Sequence, residues 1–248
     1  MFEEVKVIAH NGKQYITDLR KAVVPAPFRG RPVITTASAD EARIAAVCPL
    51  GAITTAPLCI DLGKCAFCGE CANAFPEKIH FTNDHKLATN VREHLLVKEG
   101  DDRAVTIDQH QIRAEVKATF GRSLKLRQVS AGGDNSCEWE LGACGNANFD
   151  MGRYGIEFVA SPRHADGIVL TGPLTVNMAH ALKTTWNAIP EPKIFILCGV
   201  DAISGGIFAD SKAINRSFLN EIHVDLYIPG NPSHPLTIIN GILELTRG

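Results

Sequence analysis

The chain has 248 residues, enough for one large or two modest domains, with 45% apolar and 21% charged residues, the proportions of an ordinary globular protein. A formal net charge of −2 excludes a partner held by phosphate attraction, so no nucleic acid is expected. No stretch approaches the roughly 18 apolar residues of a membrane span, and the start Met1-Phe2-Glu3-Glu4-Val5-Lys6 lacks the apolar core of a signal peptide.

Residues 1–35 are mixed and turn-rich, with Pro25, Pro27 and Pro32 around Phe28-Arg29-Gly30-Arg31. Prolines this dense preclude a helix there, because each lacks an N–H and pushes its predecessor out of the helical region. They predict an extended arm lying on another surface. Next comes Cys65-Ala66-Phe67-Cys68-Gly69-Glu70-Cys71, with Cys48-Pro49 upstream of it. Three thiolates spaced C-x2-C-x2-C suit one face of an iron–sulfur cube, and a distant Cys-Pro supplies the fourth ligand in bacterial ferredoxins. The spacing predicts one [4Fe–4S] cluster on Cys48, Cys65, Cys68 and Cys71.

A two-cluster ferredoxin would continue to another Cys-Pro after Cys71, where this chain has Ala72-Asn73-Ala74-Phe75-Pro76. Ser38, Glu41 and Ile44 stand where the other ligands of that companion cluster would fall. One full ligand set is gone and its neighbour is intact. A structural zinc on the same four cysteines is the alternative. Disulfides would need an oxidising compartment, and eight cysteines without an export signal fit reduced thiols and metal ligation better. Cys59 is expected to be a buried or half-buried free thiol. Ala52-Ile53-Thr54 and Lys78-Ile79-His80-Phe81 read as short strands following the cluster loops. Together the arm and this unit resemble the ferredoxin-like subunit of formate hydrogenlyase and complex-I type assemblies, where a similar Phe-Arg-Gly-Arg-Pro precedes the loops. Those relatives usually carry two clusters; one is expected here.

Residues 83–122 are charged. Leu87, Val91, Leu95 and Leu96, and then Ile112, Val116 and Phe120, recur at helical spacing and predict a helical connector. Its His85, His94 and His110 share no ligand spacing and are expected to face solvent. After Gly121 short apolar runs alternate with helical stretches. The runs are Leu124–Val129, Ile156–Val159, Gly167–Thr171, Lys193–Cys198 and His223–Ile228. Helices are expected at about Glu138–Tyr154, Val176–Ala188, Phe208–Ser217 and Leu236–Leu245. This alternation predicts a mostly parallel sheet covered by helices on both faces. Its functional loops should gather at the carboxyl ends of the strands: Ser130–Glu138, Thr171–Val176, Cys198–Gly206 and Pro229–Pro235.

The words Arg153-Tyr-Gly-Ile, Ser161-Pro-Arg-His-Ala-Asp166, Thr171-Gly-Pro-Leu-Thr, Ser204-Gly-Gly-Ile-Phe208 and Val224-Asp-Leu-Tyr-Ile-Pro-Gly230 resemble the small subunit shared by membrane-bound [NiFe] hydrogenases, formate hydrogenlyase and respiratory complex I (NADH:ubiquinone oxidoreductase). The resemblance spans roughly Leu124 to Gly248. It implies a flavodoxin-like α/β fold holding a proximal [4Fe–4S] cluster between strand-end loops that face a large subunit. Matched to that pattern, the proximal ligand positions are Asp134, Cys137, Asp201 and Asn231, so one thiolate survives of four. Two aspartates and an asparagine are a poor set for a cube, and a second cluster is expected to be absent. Cys144 and Cys198 are extra thiols.

Three parts are therefore expected: an arm and ferredoxin-type domain (1–82), the connector (83–122) and a small-subunit-like domain (123–248). The resemblance implies a non-catalytic electron-transfer subunit on the cytoplasmic side of a membrane complex, beside a large-subunit homologue and other subunits, and served by ferredoxin or another carrier. A non-redox adaptor, or a true hydrogenase or quinone-reductase subunit with a cluster rebuilt on Cys137, Cys144 and Cys198, are the other readings.

Overall fold

A computed structural model of the chain describes residues 2–248. It begins with a helix, α1 (Phe2–Asn11), none of whose side chains is buried. The turn-rich arm then leads into β1 (Pro32–Ile34), α2 (Glu41–Val47), β2 (Ile53–Thr54), β3 (Cys59–Asp61), α3 (Glu70–Ala74), β4 (Ile79–Phe81) and β5 (Leu96–Lys98). Asp40 starts α2 by accepting the Arg43 N–H on its side chain, the usual role of an N-terminal cap. Strands β1 and β4 pair antiparallel, and β2-β3-β5 form a second, three-stranded antiparallel sheet. The two expected short strands are thus present as β2 and β4.

The connector differs from its sequence pattern. Of residues 83–122, only α4 (Ala114–Phe120) is an α-helix, with a single 3-10 turn at Arg92–Leu95. Leu96, Val97 and Lys98 instead complete a ladder with Asp61, Ile60 and Cys59. A waiting strand edge outweighs a helical spacing of leucines, since pairing satisfies the backbone and buries Val97 at the same time. His94 and His110 are exposed, but His85 is only 4% exposed. Its Nε2 lies 3.3 Å from the Asn240 side-chain nitrogen, a core polar contact rather than a solvated histidine.

From α4 the chain alternates through β6 (Leu124–Ser130), α5 (Ser136–Ala143), β7 (Ile156–Phe158), β8 (Gly167–Thr171), α6 (Val176–Ala188), β9 (Ile194–Cys198), α7 (Val200–Ser204), β10 (Leu226–Ile228) and α8 (Pro235–Arg247). The five strands form one sheet in the order β10-β9-β8-β6-β7, every pair parallel. That is the flavodoxin-like order, whose switch point lies between β6 and β8. Alternate side chains enter opposite cores. Ile168, Leu170, Phe195 and Leu197 share one core with Ile34, Ile44, Ile60 and Ile79 of the N-terminal sheets. Val169, Ile194, Ile196 and Cys198 share the other with α4, α8 and Leu19 of the arm. The period-two alternation of a fully buried strand therefore fastens the cysteine-bearing unit to the sheet.

No α-helix forms over Phe208–Ser217. The backbone there is spent on the neighbouring loop: Ala213 O accepts the Val176 N–H, and Asn215 N donates to Leu174 O. Arg216 donates to the carbonyls of Pro173, Asp201, Ala202 and Ile203, closing the end of α7. The helix expected over Glu138–Tyr154 stops at Ala143, followed by a 3-10 turn at Met151–Tyr154.

Arg113, just before α4, spans the sheet edge: its Nε and Nη2 donate to the two Asp225 oxygens at 3.0 and 3.2 Å. Asp225 is 4% exposed and also accepts the Phe195 N–H. Arg113→Met leaves that carboxylate buried without its cation and is expected to cost about 2 kcal/mol, below the usual range for a buried pair because the arginine is partly solvated. Equilibrium urea unfolding should show a lower midpoint at unchanged slope; an unchanged midpoint contradicts the pairing.

Candidate metal centre and the strand-end loops

The end of β3 shapes the cysteine loop. Asp61 O accepts the N–H of Lys64 and of Cys65, its Oδ1 accepts the Gly63 N–H at 2.8 Å, and its Oδ2 pairs with Arg92 at 2.6 Å. Beyond Cys65 the backbone takes left-handed values at Phe67 (φ 53°) and Gly69 (φ 86°). These tight reversals bring Cys65 and Cys68 round before α3 presents Cys71, while the turn after α2 presents Cys48. All four cysteines line one small cavity, walled otherwise mostly by apolar groups including Pro49, Ala52, Ile53, Ile60 and Phe81, with Glu70 also in its wall. Cys65 and Cys71 are buried, Cys48 is half-buried and Cys68 is exposed.

The donor set fits a soft cationic group. Ala52 N–H donates to Cys48 Sγ at 3.2 Å and Phe67 N–H to Cys65 Sγ at 3.3 Å, bonds of the kind that stabilise cluster thiolates and tune their potential. In the chain alone, burial pushes the Cys65 thiol up to about 12 and the Cys71 thiol up to about 11, with neighbouring cysteines adding to the rise. Sulfurs around an apolar cavity cannot ionise together unless positive charge sits among them. Among the described residues no three His, Cys, Asp or Glu side chains converge closely enough for a single metal ion. Cys59 is buried on β3, a free thiol outside the ring of four.

At the carboxyl end of the parallel sheet the loops meet at the switch point. A Cβ on Gly172 would lie 2.6 Å from Gly133 N, and both Gly172 and Gly132 have positive φ. Asp134 is exposed, and its Oδ1 accepts from Ser136 N–H and Oγ at 2.9 and 2.6 Å, which holds its carboxyl below the ordinary range. Asp201 opens α7, half-buried against Gly206, where a Cβ would come within 1.8 Å of Oδ1. Desolvation, then the Asp134 and Glu138 charges, push its carboxyl up to about 6. Glu138 accepts from Ser130 Oγ at 2.6 Å and Thr171 Oγ1 at 2.7 Å.

The other two matched positions go elsewhere. Cys137 turns inward: its thiol packs against Gly199 and is drawn below its ordinary range by a bond with Cys198, with Ser233 contributing. Cys198 is pushed well up by that contact and by burial, as strand-end core. Cys144 is fully buried, 4.0 Å from Pro235 O. Asn231 is exposed. Asp134 and Glu138 lie close enough to Asp201 for their charges to raise its carboxyl, while Cys137 is committed to the core; this set does not fit a cube, nor do Cys137, Cys144 and Cys198. Arg163 and His164 are exposed in a 3-10 turn. Sequence reasoning used Glu138 only as a landmark and missed it as the acid at the switch point. It also passed over Arg29, whose Nε donates to Phe67 O in the cysteine loop; the Phe-Arg-Gly-Arg-Pro word was the available signal.

Residues 135–245 match the family described as NADH ubiquinone oxidoreductase, 20 Kd subunit, which leaves Cys48 to Cys71 outside the match. The chain is 44% identical to an NADH-quinone oxidoreductase subunit of Heliobacterium modesticaldum, over 56% of this chain and 81% of that protein. It is 34% identical to a probable membrane-bound hydrogenase subunit of Pyrococcus furiosus, over 52% of this chain and 78% of the relative. With formate hydrogenlyase subunit 7 of Escherichia coli K12 the identity is 37%, over 55% and 54% of the two chains.

Because Asp201 binds its proton more tightly folded than unfolded, stability contributed at this site is highest below about pH 4 and falls as pH rises towards 6. Asp201→Asn is therefore expected to stabilise the protein at pH 7.5 by about 1 kcal/mol, after discounting for solvent screening. The gain should vanish at pH 4; urea unfolding showing an equal gain at both values would contradict the assignment.

Proposed function

Because the chain belongs to the NADH ubiquinone oxidoreductase 20 kDa subunit family, we propose that it is an electron-transfer and scaffolding subunit of a membrane-associated oxidoreductase complex, with one [4Fe–4S] cluster on Cys48, Cys65, Cys68 and Cys71. The observation that carries this reading is the convergence of those four thiols on one apolar cavity, with backbone N–H donors on two of the sulfurs. When bound, the cluster would supply one-electron chemistry near the strongly negative potentials of ferredoxins. The protein's part is to hold four thiolates, keep water off Cys65 and Cys71, and leave Cys68 at the surface as the side where an electron carrier approaches.

The strand-end loops are the docking side for a large-subunit homologue. Exposed Trp139, Val176 and Ile207 flank them, and apolar groups set among polar ones are the anatomy of such contacts. The relatives named as quinone oxidoreductase, hydrogenase and formate hydrogenlyase subunits support partners drawn from a complex of that kind. Among the described residues no helix is long and apolar enough to cross a membrane. The membrane-bound hydrogenase relative supports attachment to the inner face of the membrane through partner subunits. With Asp134, Asp201 and Asn231 in place of thiolates, electrons would not pass onward through this domain by a proximal cube, and the second domain acts as scaffold.

Anaerobically purified protein is expected to hold about four irons per chain and to show a visible band bleached reversibly by dithionite. Cys68→Ala should lose the iron, and Cys137→Ala should retain it all. About eight irons, or iron lost from the Cys137 variant, would contradict the reading; a band that dithionite cannot bleach would leave a non-redox adaptor.

A further inference from the structure

Gly69 faces an arginine from the far side of the cysteine loop. A Cβ built there would lie 3.2 Å from Arg29 Cδ and 3.9 Å from its Cζ. The same side chain donates its Nε–H to Phe67 O, between the two ligand positions Cys65 and Cys68. In a trans peptide the C=O and the following N–H point in opposite directions. Holding Phe67 O outward on Arg29 therefore turns the Cys68 N–H away from the arm. Arg29 lines the cleft between the arm, Ala66-Phe67 and the Pro229–Pro232 loop, not the cysteine cavity. Ala66 lies in the wall of both, so the cysteine loop runs between the arm and the cysteine cavity.

Among the described residues Arg29 forms no ion pair, unlike Arg92, Arg103 and Arg113, which hold Asp61, Asp101 and Asp225. Arg29 is exposed, so solvent screens part of its charge, but no carboxylate is paired with it to offset the remainder. We propose that Arg29 is a positioning residue of the cluster loop that also raises the reduction potential of the bound cluster. The inference rests on the single-cluster reading above. Reduction adds one electron to the cluster, supplied in the test by dithionite through mediators, and makes the thiolate-bound group more anionic. A fixed positive charge behind the loop favours that reduced form.

The test is a redox titration of the full-length, anaerobically reconstituted protein, followed by electron paramagnetic resonance, for the wild type, Arg29→Gln and Arg29→Lys. Arg29→Gln should keep the wild-type iron content and shift the midpoint to a more negative potential. Arg29→Lys, which keeps the charge without the planar Nε–H, should stay near the wild type. An Arg29→Gln midpoint equal to that of the wild type overturns the proposal, as does an Arg29→Lys midpoint that falls as far as Arg29→Gln. If Arg29→Gln does not fold, Arg29→Lys decides by the same criterion: a wild-type midpoint supports the charge and a lower one overturns it. A wild-type protein that shows no cubane signal after reconstitution removes the cluster reading itself, a result distinct from an unshifted midpoint.

Discussion

Four sulfurs facing one apolar cavity cannot all carry their charge unless a cation stands among them. That constraint explains why so much of the N-terminal half is arranged as it is. A carboxylate, Asp61, ends β3 and gathers the N–H groups of the loop; two left-handed residues turn the chain within four positions; two amide N–H groups point at sulfur. These contacts already hold the loop in the chain alone. They make sense as preparation for a group that brings positive charge with it.

The parallel sheet solves a different problem. Its switch point gathers glycine-rich loops close enough that Gly133 and Gly172 could not both carry side chains. In the position where the resemblance places a cube, this chain has a group of carboxylates, Asp134, Glu138 and Asp201, whose charges act on one another. Glu138 is satisfied by two hydroxyls and Asp134 by Ser136, while Asp201 is raised by its neighbours. The remaining cysteine has been absorbed into the hydrophobic core beside Cys198. The shape of a metal-bearing subunit persists because its cores, not its metal ligands, hold it: α8 alone buries Leu236, Ile238, Ile239, Ile242, Leu243 and Leu245.

Legibility followed range. Strand β8 and helix α6 fall on the residues their composition marks, Gly167–Thr171 and Val176–Ala188, because a run of buried β-branched residues and a long periodic stretch each dictate their own backbone. The four candidate ligands could be named together because a loop ligand set is encoded in spacing alone, and the fold brings those four cysteines to one cavity. What escaped depended on distant partners: β5 was drawn from a helical pattern by the free edge of β3, and residues 208–217 were claimed by Leu174 and Val176. Helix α7 is only five residues long, too short for any period to show. The roles of Arg29 and Glu138 rest on contacts across 38 and 33 positions of sequence, which no local pattern reports.

The central claim is that metal sits at one end of the molecule and not the other. Iron-edge anomalous diffraction from crystals of the anaerobically purified protein tests it most directly. One compact anomalous peak ringed by Cys48, Cys65, Cys68 and Cys71, with nothing above noise beside Asp134, Asp201 and Asn231, is the expected result. A second iron peak at the switch point, or no iron within the cysteine ring, would contradict it.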